Sequence, residues 1–196
     1  MVKSALKDQD LPEWDLSDLY HGMEDSQIES DLQTSETDAE AFAAHYKGKV
    51  ATLSGSEFGR AIAQYESLDE TLSRLGSYAQ LLQSGNVTDP QIGRFYQTIT
   101  ERITAISTHV LFFSLEINRL EDRQLEALLT DLTVSKYQSW LRDLRAVRPH
   151  QLSDDLEKIL HEKTVAGATA WIRLFDETLA GLTVDVKGRG GGKAIT

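Results

Sequence analysis

The chain has 196 residues, 40% hydrophobic and 26% charged, with a net charge of -11 and no cysteine; these totals exclude wholesale disorder, a disulfide framework, thiolate metal sites and thiol catalysis. No run approaches the roughly 20 apolar residues of a membrane-spanning helix, and the opening MVKSALKDQDLPEW lacks the apolar core of a signal peptide, so a cytoplasmic protein without a membrane partner is expected. The acidity is local: residues 1–40 hold 12 acids and 2 bases while the other 156 hold 19 and 18, which leaves no basic footprint for nucleic acid.

Residues 1–24 form an expected N-terminal strap, in which Pro12 blocks an early helix and Leu11, Trp14, Leu16, Leu19 and Tyr20 supply apolar anchors. From about Asp25 the pattern turns helical, with Ile28, Leu32, Ala39, Phe42 and Tyr46 on one face and Gly48 as the stop. A long second helix follows, capped by Ser56 and ended by Gly85, with Phe58, Ile62, Tyr65, Leu68, Leu72, Leu75, Ala79 and Leu82 at intervals of three and four. Asp89 before Pro90 opens a third helix, since the carboxylate accepts orphan amides and proline fits where no N–H is needed. Its stripe from Ile92 to Ile117 is the best seam in the chain, widened by Leu111, Phe112 and Leu115, and marks the axis of the core.

Shorter helices are expected around Leu125 to Leu129 and from Tyr137 to Val147, the latter ended by Pro149. SDDLEKILHEK starts with a capping-box-like Ser153, and GATAWIRLFDETLAGL presents Trp171, Leu174, Phe175, Leu179 and Leu182. In LTVDVKG, Leu182, Val184 and Val186 alternate with polar residues as in a strand, and RGGGKAIT after it is too rich in glycine to hold order. The expected fold is therefore all-α: an antiparallel bundle of long helices over residues 25–187, with a short terminal β-strand and a disordered glycine-rich tail over 188–196.

HEKTV, from His161 to Val165, begins like the H-E-x-x-H of zinc peptidases, in which two imidazoles one turn apart converge on the metal. Val165 replaces the second ligand, so the segment reads as a helix C-terminus, where His161 and Lys163 suit the negative end of the dipole. No catalytic residue, metal ligand or cofactor contact is assigned. His109, beside Val110 on the third helix, is expected to be hydrogen-bonded and partly buried. Arg142, Arg145 and Arg148 lie three apart, a strip suited to an anion or a peptide carboxylate, or alternatively to the domain's own acids. GRGGGK lacks the strand, helix and Ser/Thr of a phosphate loop.

LPEWDLSDLY, LGSYAQLL, ERITAISTHVLFFSLEINRL and WLRDLRAVRPHQLSDDLEKILHEKTVAGATAWIRLFDETL together resemble the N-terminal region of oligoendopeptidase F, of the thimet-type zinc oligopeptidases. The resemblance implies an almost wholly helical fold with two lobes around a channel that admits short peptides. It places zinc in a C-terminal lobe outside these residues, held by H-E-x-x-H and a downstream glutamate. On that footing this chain is a non-catalytic channel wall, inactive alone, whose partner is the catalytic lobe and whose oligopeptide substrate belongs to the complete enzyme. The alternative is a freestanding helical interaction module whose apolar face self-associates or binds a helix.

Overall fold

The computed structural model describes residues 14–183, and among these the regular structure is entirely helical. Three long helices come first: α1 (Ser26–Tyr46), α2 (Gly55–Gly85) and α3 (Pro90–Arg119). They are followed by α4 (Asp122–Leu128), α5 (Leu132–Ser135), α6 (Gln138–Ala146), α7 (Asp154–Lys163) and α8 (Ala170–Ala180). No helix of the described residues is long and apolar enough to cross a membrane.

Local chemistry sets the helix starts. Asp25 accepts from Gln27 N, and Asp89 accepts from Gln91 N and Ile92 N ahead of Pro90, as the Asp-Pro signal requires. The cap of α2 is Ser54, not Ser56: Glu57 lies three residues after Ser54, so each side chain can satisfy the other's backbone amide in a capping box. Ser153 does sit at the start of α7 but makes no side-chain cap, and Glu157 accepts from Leu152 N at 2.8 Å.

Side-chain contacts give the helix directions. Asp31 meets Arg74 and Phe42 meets Tyr65, so α1 and α2 are antiparallel. Tyr78 meets Phe95 while Tyr65 meets Phe113, which reverses α3 against α2. Glu29 pairs with Arg102, Phe42 packs on Phe113 at 5.1 Å, and Gly48 N donates to Glu116 at 2.7 Å, so α1 and α3 run in the same sense. Phe113 is fully buried at the centre of an aromatic cluster of Phe42, Phe58, Tyr65 and Phe112. Burying one such side chain contributes about 1.5 to 3 kcal/mol.

In the described part of the strap, Tyr20 is the buried anchor. Tyr20 is buried, its ring 5.2 Å from Tyr78, and its hydroxyl donates to Asp31 Oδ2 at 2.7 Å while accepting from Arg74 Nε at 3.2 Å. Leu16 and Leu19 pack on the edge of the core, but Trp14 is exposed rather than an anchor. The expected strand and glycine-rich tail fall almost wholly outside the described residues; Leu182 and Thr183, the two that fall inside, are irregular.

Candidate functional site

The last two helices are inverted. From α7 through a kink at Val165–Thr169 to α8, the partly covered side chains are mostly polar, Glu157, His161, Thr169, Arg173 and Glu177, with Val165 the apolar exception. Two of these reach α3, where His161 Nε2 and Ser107 Oγ share a hydrogen bond at 2.8 Å and Arg173 donates to Gln97 at 2.8 Å. Arg119 pairs with Asp154 at the far end, so the α7–α8 rod runs antiparallel to α3 along its back. The apolar stripe points outward. Leu152, Leu156, Ile159, Leu160, Leu174 and Leu179 are all about half exposed, and Trp171, Ile172, Phe175 and Leu182 more so. No residue of α7 or α8 is buried. An amphipathic helix gains stability by turning its apolar face to the core, so this orientation marks a surface built to be covered.

The same geometry separates the letters of HEKTV. His161 turns inward to Ser107, whereas Glu162 turns outward to Lys158 at 3.7 Å, so the two do not converge. Among the described residues no three His, Asp or Glu side chains are grouped to hold a metal ion. The described residues therefore offer no donor set for the zinc that the resemblance places in another lobe. His109 is exposed on α3, contrary to the expectation of partial burial, because it falls beside the seam and not in it.

The three arginines part company. Arg145 Nη1 donates to Ile117 O and Leu120 O at 3.0 Å each and its Nη2 pairs with Asp122, so it caps the carbonyl end of α3. Arg148 pairs with the same Asp122 at 3.2 Å and opens on a cleft of about 340 Å³ with Asn118, Arg119, Gln151 and Leu152. Arg142 is exposed and pairs only with its neighbour Asp143. Sequence spacing placed the three on one strip but could not show that the end of α3 claims the middle one. A larger groove of about 650 Å³ runs between α1 and α2 over Phe42 and Leu68, rimmed by Thr34, Asp38, Gln64 and Ser67.

The Tyr20 cluster is a linked polar group under the surface. Burial first, then the hydrogen bond to Asp31, pushes the Tyr20 phenol up to about 12. Burial would raise Asp31, yet donation from Tyr20 and Gln27 and the Arg74 guanidinium together hold its carboxyl below the usual range. This network joins strap, α1 and α2, and its Asp31 lines the groove between the two helices.

Comparison with known proteins gives two findings. Residues 116–183, from the end of α3 through α8, match the family model Peptidase_M3_N, oligopeptidase F. The backbone resembles the crystal structure of oligoendopeptidase-F from Enterococcus faecium with a TM-score of 0.66 at 19% identity, over 86% of this chain and 31% of that one. At that identity the structural likeness speaks for the fold, and the chain spans about a third of the length of the protein it matches. No curated protein matches the chain. The resemblance to the N-terminal region of oligoendopeptidase F is thus borne out by a sequence match and a fold match found separately.

Proposed function

We propose that the chain is the N-terminal, non-catalytic portion of a zinc oligopeptidase of the oligoendopeptidase F kind, forming one wall of a channel for short peptides. The observation that carries this is the family match over residues 116–183, because it includes both inverted helices, whose outward stripe would seat the remainder of such an enzyme. Zinc and the hydrolytic groups belong to a catalytic lobe that these residues do not supply. Of the three arginines, Arg148 is the one that opens onto a cleft, and we assign it the contact to a peptide carboxylate. The absence of cysteine agrees with a cytoplasmic setting. Residues 1–24, 25–187 and 188–196 are taken as strap, helical domain and tail.

The test is a chimera in which this chain replaces the corresponding portion of the Enterococcus faecium oligoendopeptidase-F. The chimera is expected to hydrolyse a fluorogenic oligopeptide, and the 196-residue chain alone to leave it intact. A folded but inactive chimera, or chelator-sensitive hydrolysis by the chain alone, would overturn the proposal.

A second reading is favoured by the stripe itself. A surface of that extent, on helices whose polar sides are already engaged, suits a freestanding interaction module without enzymatic activity.

A further inference from the structure

The cleft onto which Arg148 opens is polar in two opposite senses. Asn118, only 3% exposed, stands at the end of α3, and Gln151 follows the turn after α6; both line the cleft. Asn118 Oδ1 and Gln151 Oε1 are buried, and neither has a hydrogen-bond partner among the described residues. The Gln151 amide nitrogen is already committed, donating to Leu115 O at 3.2 Å. Two oxygens cannot satisfy one another, and a buried acceptor left unpaired is costly, so this wall is suited to a ligand that brings N–H donors.

The other wall is cationic. Arg119 and Arg148 line the same cleft, and Arg145 lies beside them at the end of α3. These three guanidinium groups share two carboxylates: Asp154 pairs with Arg119, and Asp122 is divided between Arg145 and Arg148. Arg145 is spent on Ile117 O and Leu120 O besides, whereas Arg148 keeps only the 3.2 Å contact to a carboxylate that is itself largely exposed. Of the other acids near the cleft in the chain, Glu116 and Glu157 are turned to backbone amides, and Glu121 and Asp155 are exposed. Arg148 therefore has N–H donors left for an oxyanion.

We propose that this cleft holds the C-terminal residue of an oligopeptide. Its carboxylate lies on Arg148 and Arg119, the N–H groups of its last two residues meet Asn118 Oδ1 and Gln151 Oε1, and its side chain lies against the half-exposed Leu152. The chemistry required is an α-carboxylate with N–H donors beside it, which a peptide terminus and a free amino acid both carry. Two guanidinium groups next to the acceptors disfavour an ammonium, so the neutral amide of a peptide is the better match. A volume of about 340 Å³ is at the small end of ligand pockets, which run from roughly 300 to 1,000 Å³, and suits a chain end more than a chain's length. The oligopeptide as source rests on the channel-wall reading, and on that reading the cleft selects peptides whose C-terminus is free.

The test is a titration of the isotope-labelled 196-residue chain with N-acetyl-alanyl-leucine, followed by NMR at the side-chain amides of Asn118 and Gln151 and the Nε–H of Arg148. All three signals are expected to move together and saturate. The same peptide with a C-terminal amide should bind about tenfold more weakly or worse, since it forfeits the charged bonds to the guanidinium groups, and Arg148→Gln should cost a similar factor. Asn118→Leu should weaken the acid peptide by about fivefold while leaving the urea midpoint of the free chain unchanged or higher, because it removes an acceptor that has no partner there. A lower midpoint would mean that Asn118 is paired inside the chain, and would overturn its assignment. Free leucine or inorganic phosphate binding as tightly as the acetylated peptide would overturn the assignment to a peptide terminus, phosphate because it makes no use of the two acceptors. If none of these ligands gives saturable shifts, the site is wrong. An active chimera would then leave a channel wall without this anchor, whereas saturable shifts beside an inactive chimera would leave the anchor without the peptidase.

Discussion

Tyr20 is the buried, polar-tipped anchor of residues 14–25 on the bundle, and its chemistry can be followed with pH. Tyr20→Phe removes a hydrogen bond to a charged acceptor and is expected to cost about 1.5 to 3 kcal/mol in urea unfolding. Asp31 has a depressed folded value, so its contribution is present above the ordinary carboxylate range and is lost as pH falls through the folded value. Tyr20 has a raised value, so its contribution is present below its ordinary 10.0 and is lost as pH rises through about 12. Stability measured against pH should show both flanks in the native protein, and Asp31→Asn should flatten the acid one. The sequence marked Tyr20 as an apolar anchor and missed the polar half of its role. Its acceptor is 11 residues away and its guanidinium donor 54, distances along the chain that no local pattern spans.

At the scale of elements, α2 and α5 touch where glycine leaves room. A Cβ on Gly59 would lie 2.2 Å from Thr133 Oγ1 and 3.0 Å from the Thr133 backbone carbon. Gly59→Ala should therefore force the helices apart despite alanine's better helix propensity, lowering stability by about 1 to 3 kcal/mol in thermal unfolding. A gain in stability would show that α5 yields freely. The long helices were legible because their stripes recur over several turns and because Asp89-Pro90 is a start signal with one physical reading. The cap of α2 was legible too, in the S-x-x-E of Ser54 to Glu57, although the nearer serine drew the expectation. What periodicity cannot give is direction: it identifies an apolar face on α7 and α8 without saying which way that face points.

Across the whole molecule, two kinds of helix contact coexist. Between α1, α2 and α3 the contact is a buried aromatic and aliphatic core edged by the Asp31–Arg74 and Glu29–Arg102 ion pairs; between α3 and the α7–α8 segment the named contacts are a short row of polar bonds. Polar contacts near water contribute little each, so the rod should open at lower free energy than the core. Native-state hydrogen exchange is expected to protect the amides of α3 around Phe113 far more than those of α7 and α8, and equal protection would contradict this. The candidate site was hard to see for a related reason. H-E at 161 and 162 drew attention to metal chemistry, while the informative fact, that His161 faces inward and its apolar neighbours outward, exists only in three dimensions.

Glu116 adds a constraint of its own. Its two carboxylate oxygens accept from Gly48 N and Val50 N, at 2.7 and 3.2 Å, across 68 and 66 residues of chain, and Gly48 holds a positive φ of 76° to make the turn. A negative charge in the last turn of a helix is unfavourable unless something answers it, and here the answer comes from the bend that joins α1 to α2. The length of that bend is therefore pinned to the chemistry of a distant helix. Insertions there would strand an anion, whereas the Asn86–Asp89 link has no such tie to a distant carboxylate among the described residues and is the place where the fold can absorb a change in length.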